Sequence, residues 1–269
     1  MRLSIRHETT YRYESPATYA IQTLRLTPRS HDGQFVSGWR IDIDRDCRLD
    51  KREDAFGNVT HTFSIDGSIG QLSIVAVGDV ETQDTHGVVR GVVERFPPAI
   101  YLRETDLTAA DRAIIDFADE IGRASASDPL SALHRLMAGV SERMEFDKGA
   151  TETTTTAAEA FAAGHGVCQD LSHVFISAAR RLGIPTRYVG GYLFRSDGEN
   201  KQDAGHAWAE AFVDGLGWVG FDPANCICPT DAHVRVAVAL DCLGATPVRG
   251  VRYGGLEEQL SVKVSLKAR

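Results

Sequence analysis

The chain has no long hydrophobic run, no basic block, no low-complexity tract and no internal repeat. Each absence removes a class of protein. Without an apolar stretch of about 20 residues there is no candidate transmembrane helix. The opening Met1-Arg2-Leu3-Ser4-Ile5-Arg6-His7-Glu8 carries charge where a secretory signal needs an apolar run, so no membrane association and a cytoplasmic location are expected. Lys and Arg number 29 against 37 Asp and Glu, a net charge of −8 that argues against nucleic acid and anionic membranes as partners. Cysteine is sparse: five residues, an odd count at irregular spacing, which speaks against a disulfide framework and for a reducing compartment. Cys226 and Cys228 form a Cys-x-Cys that could reach Cys242, but zinc sites usually show two paired clusters, so no metal is expected there. No acidic loop has the ligand spacing of an EF-hand, so neither calcium nor any other cofactor is expected.

What is present is enough apolar residue for a proper core, 43% of 269 positions, in one large or two small domains. Residues 1 to about 95 alternate apolar and polar in short segments: Arg2–Ile5, Thr10–Tyr13, Ile21–Leu26, Trp39–Ile43, Val59–Phe63 and Leu72–Val77. Pro16, Pro28, Asp32-Gly33, Phe56-Gly57-Asn58 and Asp66-Gly67 separate them as turns, which predicts a β-sandwich that packs on or frames the remainder. Pro97-Pro98 breaks this pattern, dividing a β-rich domain 1–98 from a second domain 99–269.

Beyond the break the period changes to 3.6. Thr108-x-x-Asp111 reads as a capping box ahead of Ile114, Ile115, Phe117, Ala118 and Ile121, and Asp128-Pro129 opens a second helix. The threonine-rich run 151–156 reads as a solvated linker or, less simply, a substrate-contacting rim, and Thr156 with Glu159 caps a short helix that Gly164 stops. There the most informative stretch begins. Gly164-His165-Gly166-Val167-Cys168-Gln169-Asp170 places one cysteine where a glycine loop becomes a helix, whose apolar stripe is Leu171, Val174, Phe175, Ala178, Ala179 and Leu182. The unpaired N–H groups and dipole of a helix start favour a thiolate over a thiol and offer donors to an oxyanion. Downstream, Gly205-His206-Ala207-Trp208 and Gly217-Trp218-Val219-Gly220-Phe221-Asp222-Pro223 supply a base and a carboxylate to orient it.

These three blocks, in this order, resemble the transglutaminase-like superfamily of Cys-His-Asp enzymes, over roughly residues 105–230. The resemblance implies an α+β fold: an N-terminal β-sandwich, then a papain-like core whose nucleophile-bearing helix packs on an antiparallel sheet. It implies Cys168 as nucleophile, His206 as base and Asp222 as its orienter. Ala224 departs from the Thr that many members carry after Asp-Pro, which touches the local hydrogen bonding and not the triad.

Geometry supplies a separate demand. Strand alternation puts His206, Trp208, Glu210 and Phe212 on one face and Trp218, Gly220 and Asp222 on one face of the next strand. These faces coincide only if an odd-numbered turn joins the strands, such as Asp214-Gly215-Leu216, which sets residue 208 opposite 222 with His206 on the diagonal. The expected chemistry is thiol-dependent hydrolysis of a peptide or peptide-like amide through a thioester, acting on a peptide or protein substrate. The alternatives are transamidation to an amine and a catalytically silent binding module. Among neighbours, His165 reads as a loop residue, His173 as packing, Asp170 as a first-turn acid, and Trp208, Trp218 and Tyr192 as core.

Overall fold

The computed structural model describes residues 1–125, 128–149, 151–197 and 201–269. The alternating N-terminal region becomes β1 (Arg2–Thr27), β2 (Gln34–Ile43), β3 (Asp50–Glu53) and β4 (Val59–Thr82). Three of the short segments read from the sequence are thus one strand, β1, and two others are another, β4. Pro16 and Asp66-Gly67, expected as turns, lie inside these strands. Near them the β1/β4 register shifts, between Arg12 and Ala17 and again before Tyr19, and such bulges bend a strand without ending its pairing. Bending is obligatory, because a strand of 26 residues laid straight would run roughly 85 Å, whereas a compact chain of this length has a radius of gyration of about 18 Å. Leu24 and Phe63 from one half of the bent sheet share an apolar cluster with Leu72 and Ile74 from the other.

The second region contains β5 (Val88–Val89), a 3₁₀ turn at Pro98–Leu102, α1 (Arg112–Ala124), α2 (Pro129–Arg143), β6 (Glu145–Phe146), α3 (Ala157–Ala163) and β7 (His165–Gly166). It continues with α4 (Cys168–Arg181), β8 (Thr186–Leu193), β9 (Lys201–Gln202), β10 (His206–Val213), β11 (Gly217–Phe221), β12 (His233–Ala239) and α5 (Cys242–Ala245). Asp111, not Thr108, is the N-cap of α1: its carboxylate accepts from the Ile114 N–H at 2.9 Å. Thr108 instead accepts a hydrogen bond from the Arg180 guanidinium at 2.8 Å. The Asp128-Pro129 start and the Thr156–Glu159 capping box fall as the sequence predicts.

Strands β12, β8, β10, β11 and β5 form an antiparallel sheet in that order, and α4 packs on it with Val174, Phe175 and Ala178 fully buried. Phe175 stacks on Phe221 of β11 at 5.3 Å between ring centres. The alternating segment His233–Ala239 joins this sheet as β12, whereas the equally alternating stretch near the C-terminus does not. The last strands, β13 (Val248–Gly254) and β14 (Glu258–Ala268), return to the first sheet, where each pairs with one half of β1. Alternation suits any half-buried strand, and only the available sheet edge decides which one it joins. The first sheet is therefore assembled from both ends of the chain, so the division at residue 98 follows sequence order and not sheet membership. Two buried amides bind the regions together. Gln34 bonds both the N–H and the C=O of Arg235, and Asn58 bonds both those of Val238, each at 2.8 to 2.9 Å. They satisfy outward-facing backbone groups of edge strand β12, which would otherwise be buried unpaired.

Candidate active site

Cys168 is the first residue of α4, with Val167 in extended conformation as the N-cap. Valine cannot cap with its side chain, and Asp170 does the work instead. Its Oδ2 accepts from the Val167 N–H at 2.8 Å and from the Thr151 hydroxyl at 2.6 Å, while burial raises its pKa against the pull of these bonds. Gly166 is required by this arrangement, since a Cβ there would lie 2.7 Å from the Asp170 Cβ. The Ser172 hydroxyl donates to the Cys168 carbonyl at 2.6 Å. The half-buried thiol thus stands at the helix start, where the leading N–H groups precede the regular helical ladder.

The register of β10 and β11 is the one that the shared-face demand requires. Ala209 pairs with Phe221 and Val213 with Gly217, leaving the three-residue connection Asp214-Gly215-Leu216 with Gly215 at φ +82°. Continued one step, this register sets Trp208 opposite Asp222. The His206 Nε2–H donates to Asp222 Oδ2 at 2.7 Å, and the ring also lies within hydrogen-bonding reach of Cys168. Because Nε2 is taken by the carboxylate, Nδ1 is the nitrogen left for the thiol. Burial alone would lower the His206 pKa, but Asp222 and the Cys168 sulfur raise it from 6.5 to about 10. That shift favours the imidazolium form of His206 beside the Cys168 sulfur. Burial likewise acts to raise the Asp222 pKa, yet hydrogen bonds from His206 and His233 hold it well below the usual carboxylate range.

His233 and Asn225, which the sequence reading did not select, complete the surroundings of Asp222. His233 Nε2 lies 3.1 Å from Asp222 Oδ2, while its Nδ1 accepts from the Thr230 N–H at 3.1 Å. Nδ1 being an acceptor, Nε2 carries the proton and donates to the carboxylate. The Asn225 side-chain amide donates to the same oxygen at 2.7 Å, and the backbone N–H groups of Ala224 and Asn225 donate to Oδ1 at 3.1 and 3.3 Å. These backbone donors need no threonine at position 224. No motif spacing marks His233, whereas Asp170 could have been read from Gly166-x-Cys168-x-Asp170.

The donor atoms of His206, Asp222 and His233 lie within 4.8 Å of one another, the one such group among the described residues. It does not fit a metal. A histidine that ligates through Nε2 ordinarily carries its proton on Nδ1 and donates it outward. In His233 that position receives the Thr230 N–H instead. Cys226, Cys228 and Cys242 do not enter any such group.

The remaining neighbours sort by contact. His173 is fully buried, accepts from the Cys242 N–H at 3.1 Å, and burial lowers its pKa to about 4. His165 pairs with Glu145 in a two-residue parallel ladder and is half-buried rather than a solvent-facing loop residue. Trp208 is buried beside His206 and edge-on to His233. Trp218 lies away from the thiol, beneath the Arg187 guanidinium at 3.8 Å. The Tyr192 hydroxyl bonds His7 of β1 at 3.1 Å. From the threonine run, Thr151 holds Asp170 and Thr153 lines the cavity before Cys168, so this segment belongs to the rim and is not a free linker.

The fold and this arrangement define a class of protein. Residues 115–223 match the transglutaminase-like superfamily and residues 3–81 the bacterial transglutaminase-like N-terminal region, so the chain carries a transglutaminase-like core preceded by that N-terminal region. An uncharacterized protein of Mycobacterium leprae is 28% identical over 279 residues, with 98% of each chain covered. An uncharacterized protein of Haemophilus influenzae is 26% identical over 199 residues, covering 61% of this chain and 52% of its own. A crystal structure from Cytophaga hutchinsonii, described as a "putative cysteine protease", superimposes with a TM-score of 0.75 at 18% identity, covering 99% of this chain and 98% of that one. At that identity the likeness shows the fold.

Proposed function

We propose that the protein is a thiol-dependent hydrolase of peptide or peptide-like amides, working through Cys168, His206 and Asp222. The observation that carries this reading is one chain of contacts: a helix-start thiol, a histidine raised to about 10, and a fully buried carboxylate on the far nitrogen of its ring. Cys168 Sγ attacks the amide carbonyl carbon. The tetrahedral oxyanion forms beside the Cys168 backbone N–H, a helix-start donor of the kind oxyanion holes use. As the C–N bond breaks, His206 passes its proton to the departing amine nitrogen, leaving a thioester on Cys168. Water then adds to the thioester, giving a proton to His206, and expulsion of the sulfur releases a carboxylic acid. Asp222 stays ionised throughout, fixing the ring and stabilising its charge.

Hydrolysis is favoured over transamidation because the cavity before Cys168, about 980 Å³, leaves room for water beside the thioester, and neither Trp208 nor Trp218 lines it. The test is a peptide library incubated with and without millimolar primary amine, with products read by mass spectrometry. Mostly acid product is expected in both arms. Mostly amide product would replace hydrolysis with transamidation, and no turnover of any member would favour a silent binding module.

A further inference from the structure

The face of β1 and β14 that meets the second region changes character along its length. Leu3 and Ile5 of β1, with Val264 and Leu266 of β14, are buried in the same apolar cluster as Val174 and Phe175 of α4. Along the same face follow His7, Thr9 and Tyr11, with Val262 and Leu260 paired to the last two. All five line the cavity that contains Cys168 and His206. Exposure on β14 rises over four residues from 1% at Val264 to 56% at Leu260. The first sheet therefore packs on the core at one end and diverges from it at the other, and the cavity is the wedge between them.

The apex of the wedge is closed by His7, which bonds Tyr192 of β8 and Thr9 at 3.1 Å each and is kept neutral by burial, its pKa lowered to about 4. Of the charged residues lining the cavity, Arg195 is paired with Asp197, while Lys148 and Asp203 are opposite in sign. Tyr11, Leu260 and Val262 on the sheet side and Leu193 of β8 all line the wedge. Such walls reward an apolar side chain over a charged one.

We propose that this wedge is a substrate subsite, in which the first sheet selects uncharged, apolar side chains of an extended peptide adjoining the scissile amide. This rests on reading Cys168 as the nucleophile. It gives the N-terminal region, completed by the C-terminal strand, a direct part in specificity rather than support alone.

Two tetrapeptidyl chloromethyl ketones of equal length, one carrying Leu-Phe and one Asp-Lys in the middle, test it beside iodoacetamide, which needs no subsite. Each reagent alkylates Cys168 as the thiolate displaces its halide. The apolar peptide should react at least about 10-fold faster than the charged one, the scale on which apolar pockets discriminate. Leu260→Glu should reduce that advantage by about 10-fold while the iodoacetamide rate stays the same. Val251→Glu, on a β13 residue 67% exposed and outside the cavity, should leave both rates unaltered. Equal peptide rates, or an advantage that survives Leu260→Glu, would overturn the subsite. An octyl chloromethyl ketone reacting as fast as the apolar peptide would overturn its assignment to a peptide. Cys168 inert toward iodoacetamide would instead sink the nucleophile reading itself.

Discussion

Strand β10 carries two buried charged clusters on one face, four residues apart, and only one of them is the candidate reaction site. At His206 the partners are Asp222, itself bonded by His233 and Asn225, and the Cys168 thiol. At Glu210 they are Arg187 and Arg235, each at 2.7 Å, with Glu94 chelating the Arg187 head at 3.0 Å and Trp218 lying under it. Both clusters are strongly perturbed. Burial would raise the Glu210 pKa, but the two arginines lower it from 4.5 to about 2. The difference lies in what remains to be satisfied: the Glu210 carboxylate is enclosed by cations from within the chain, whereas the His206 cluster ends on a thiol that opens into a cavity. A perturbed pKa thus locates buried charge, and an accessible, polarised nucleophile distinguishes chemistry from architecture.

The largest expected effect sharpens that contrast. Cys168→Ala should lower turnover by about 10⁴-fold or more while circular dichroism remains native, as loss of a nucleophile does in sites that act as a unit. Asp222→Asn should cost about 10³ to 10⁴-fold in turnover in a folded protein, because an amide can stabilise the wrong histidine tautomer. Near-normal activity in a folded variant would remove Asp222 from the mechanism. Glu210→Ala should act on the other quantity, losing about 3 to 5 kcal/mol in urea denaturation by removing the carboxylate that the Arg187 and Arg235 guanidiniums share, which leaves Arg187 with Glu94 alone. If it instead abolished turnover without loss of stability, the division between the two clusters would fail.

The clusters should also differ in pH response. His206, raised from 6.5 to about 10, contributes stability that is full below pH 6.5 and is lost as the pH climbs toward 10. Glu210, lowered from 4.5 to about 2, contributes stability present above pH 4.5 and lost as the pH falls toward 2. Urea titrations of His206→Gln and Glu210→Gln against the parent chain should therefore converge with it at alkaline and acid pH respectively, by no more than about 1.4 kcal/mol per pH unit. The smallest effect is expected at His233. His233→Gln should keep the fold and lower turnover by about tenfold, the consequence of losing roughly 1.4 kcal/mol of support for the Asp222 charge. Turnover unchanged across the pH range would make His233 purely a packing residue.

Much of the site was legible because its residues fall in short, ordered blocks. Cys168 announced itself by a glycine loop turning into an apolar stripe, and His206 and Asp222 by the motif blocks that carry the family resemblance, with strand parity across a three-residue turn requiring them to share a face. His233 was not legible. It reaches Asp222 from the far edge of the sheet, β12, and no local pattern records which strand will lie there. The same holds for Asp170, whose first-turn acidity was visible while its bond to Thr151, nineteen residues upstream, was not.

The sequence by itself determined the elements, the helix starts and the faces of strands, because caps, periodicity and turn residues act over a few neighbours. The tertiary structure decided which edges those strands found. It merged Arg2–Thr27 into one bent strand and carried Glu258–Ala268 away from the core sheet to pair with it. It also opened the wedge in which Tyr11 and Leu260 stand before Cys168. Alternating residues specify a buried face but not the neighbour that buries it, and that choice is made only when the whole chain closes on itself.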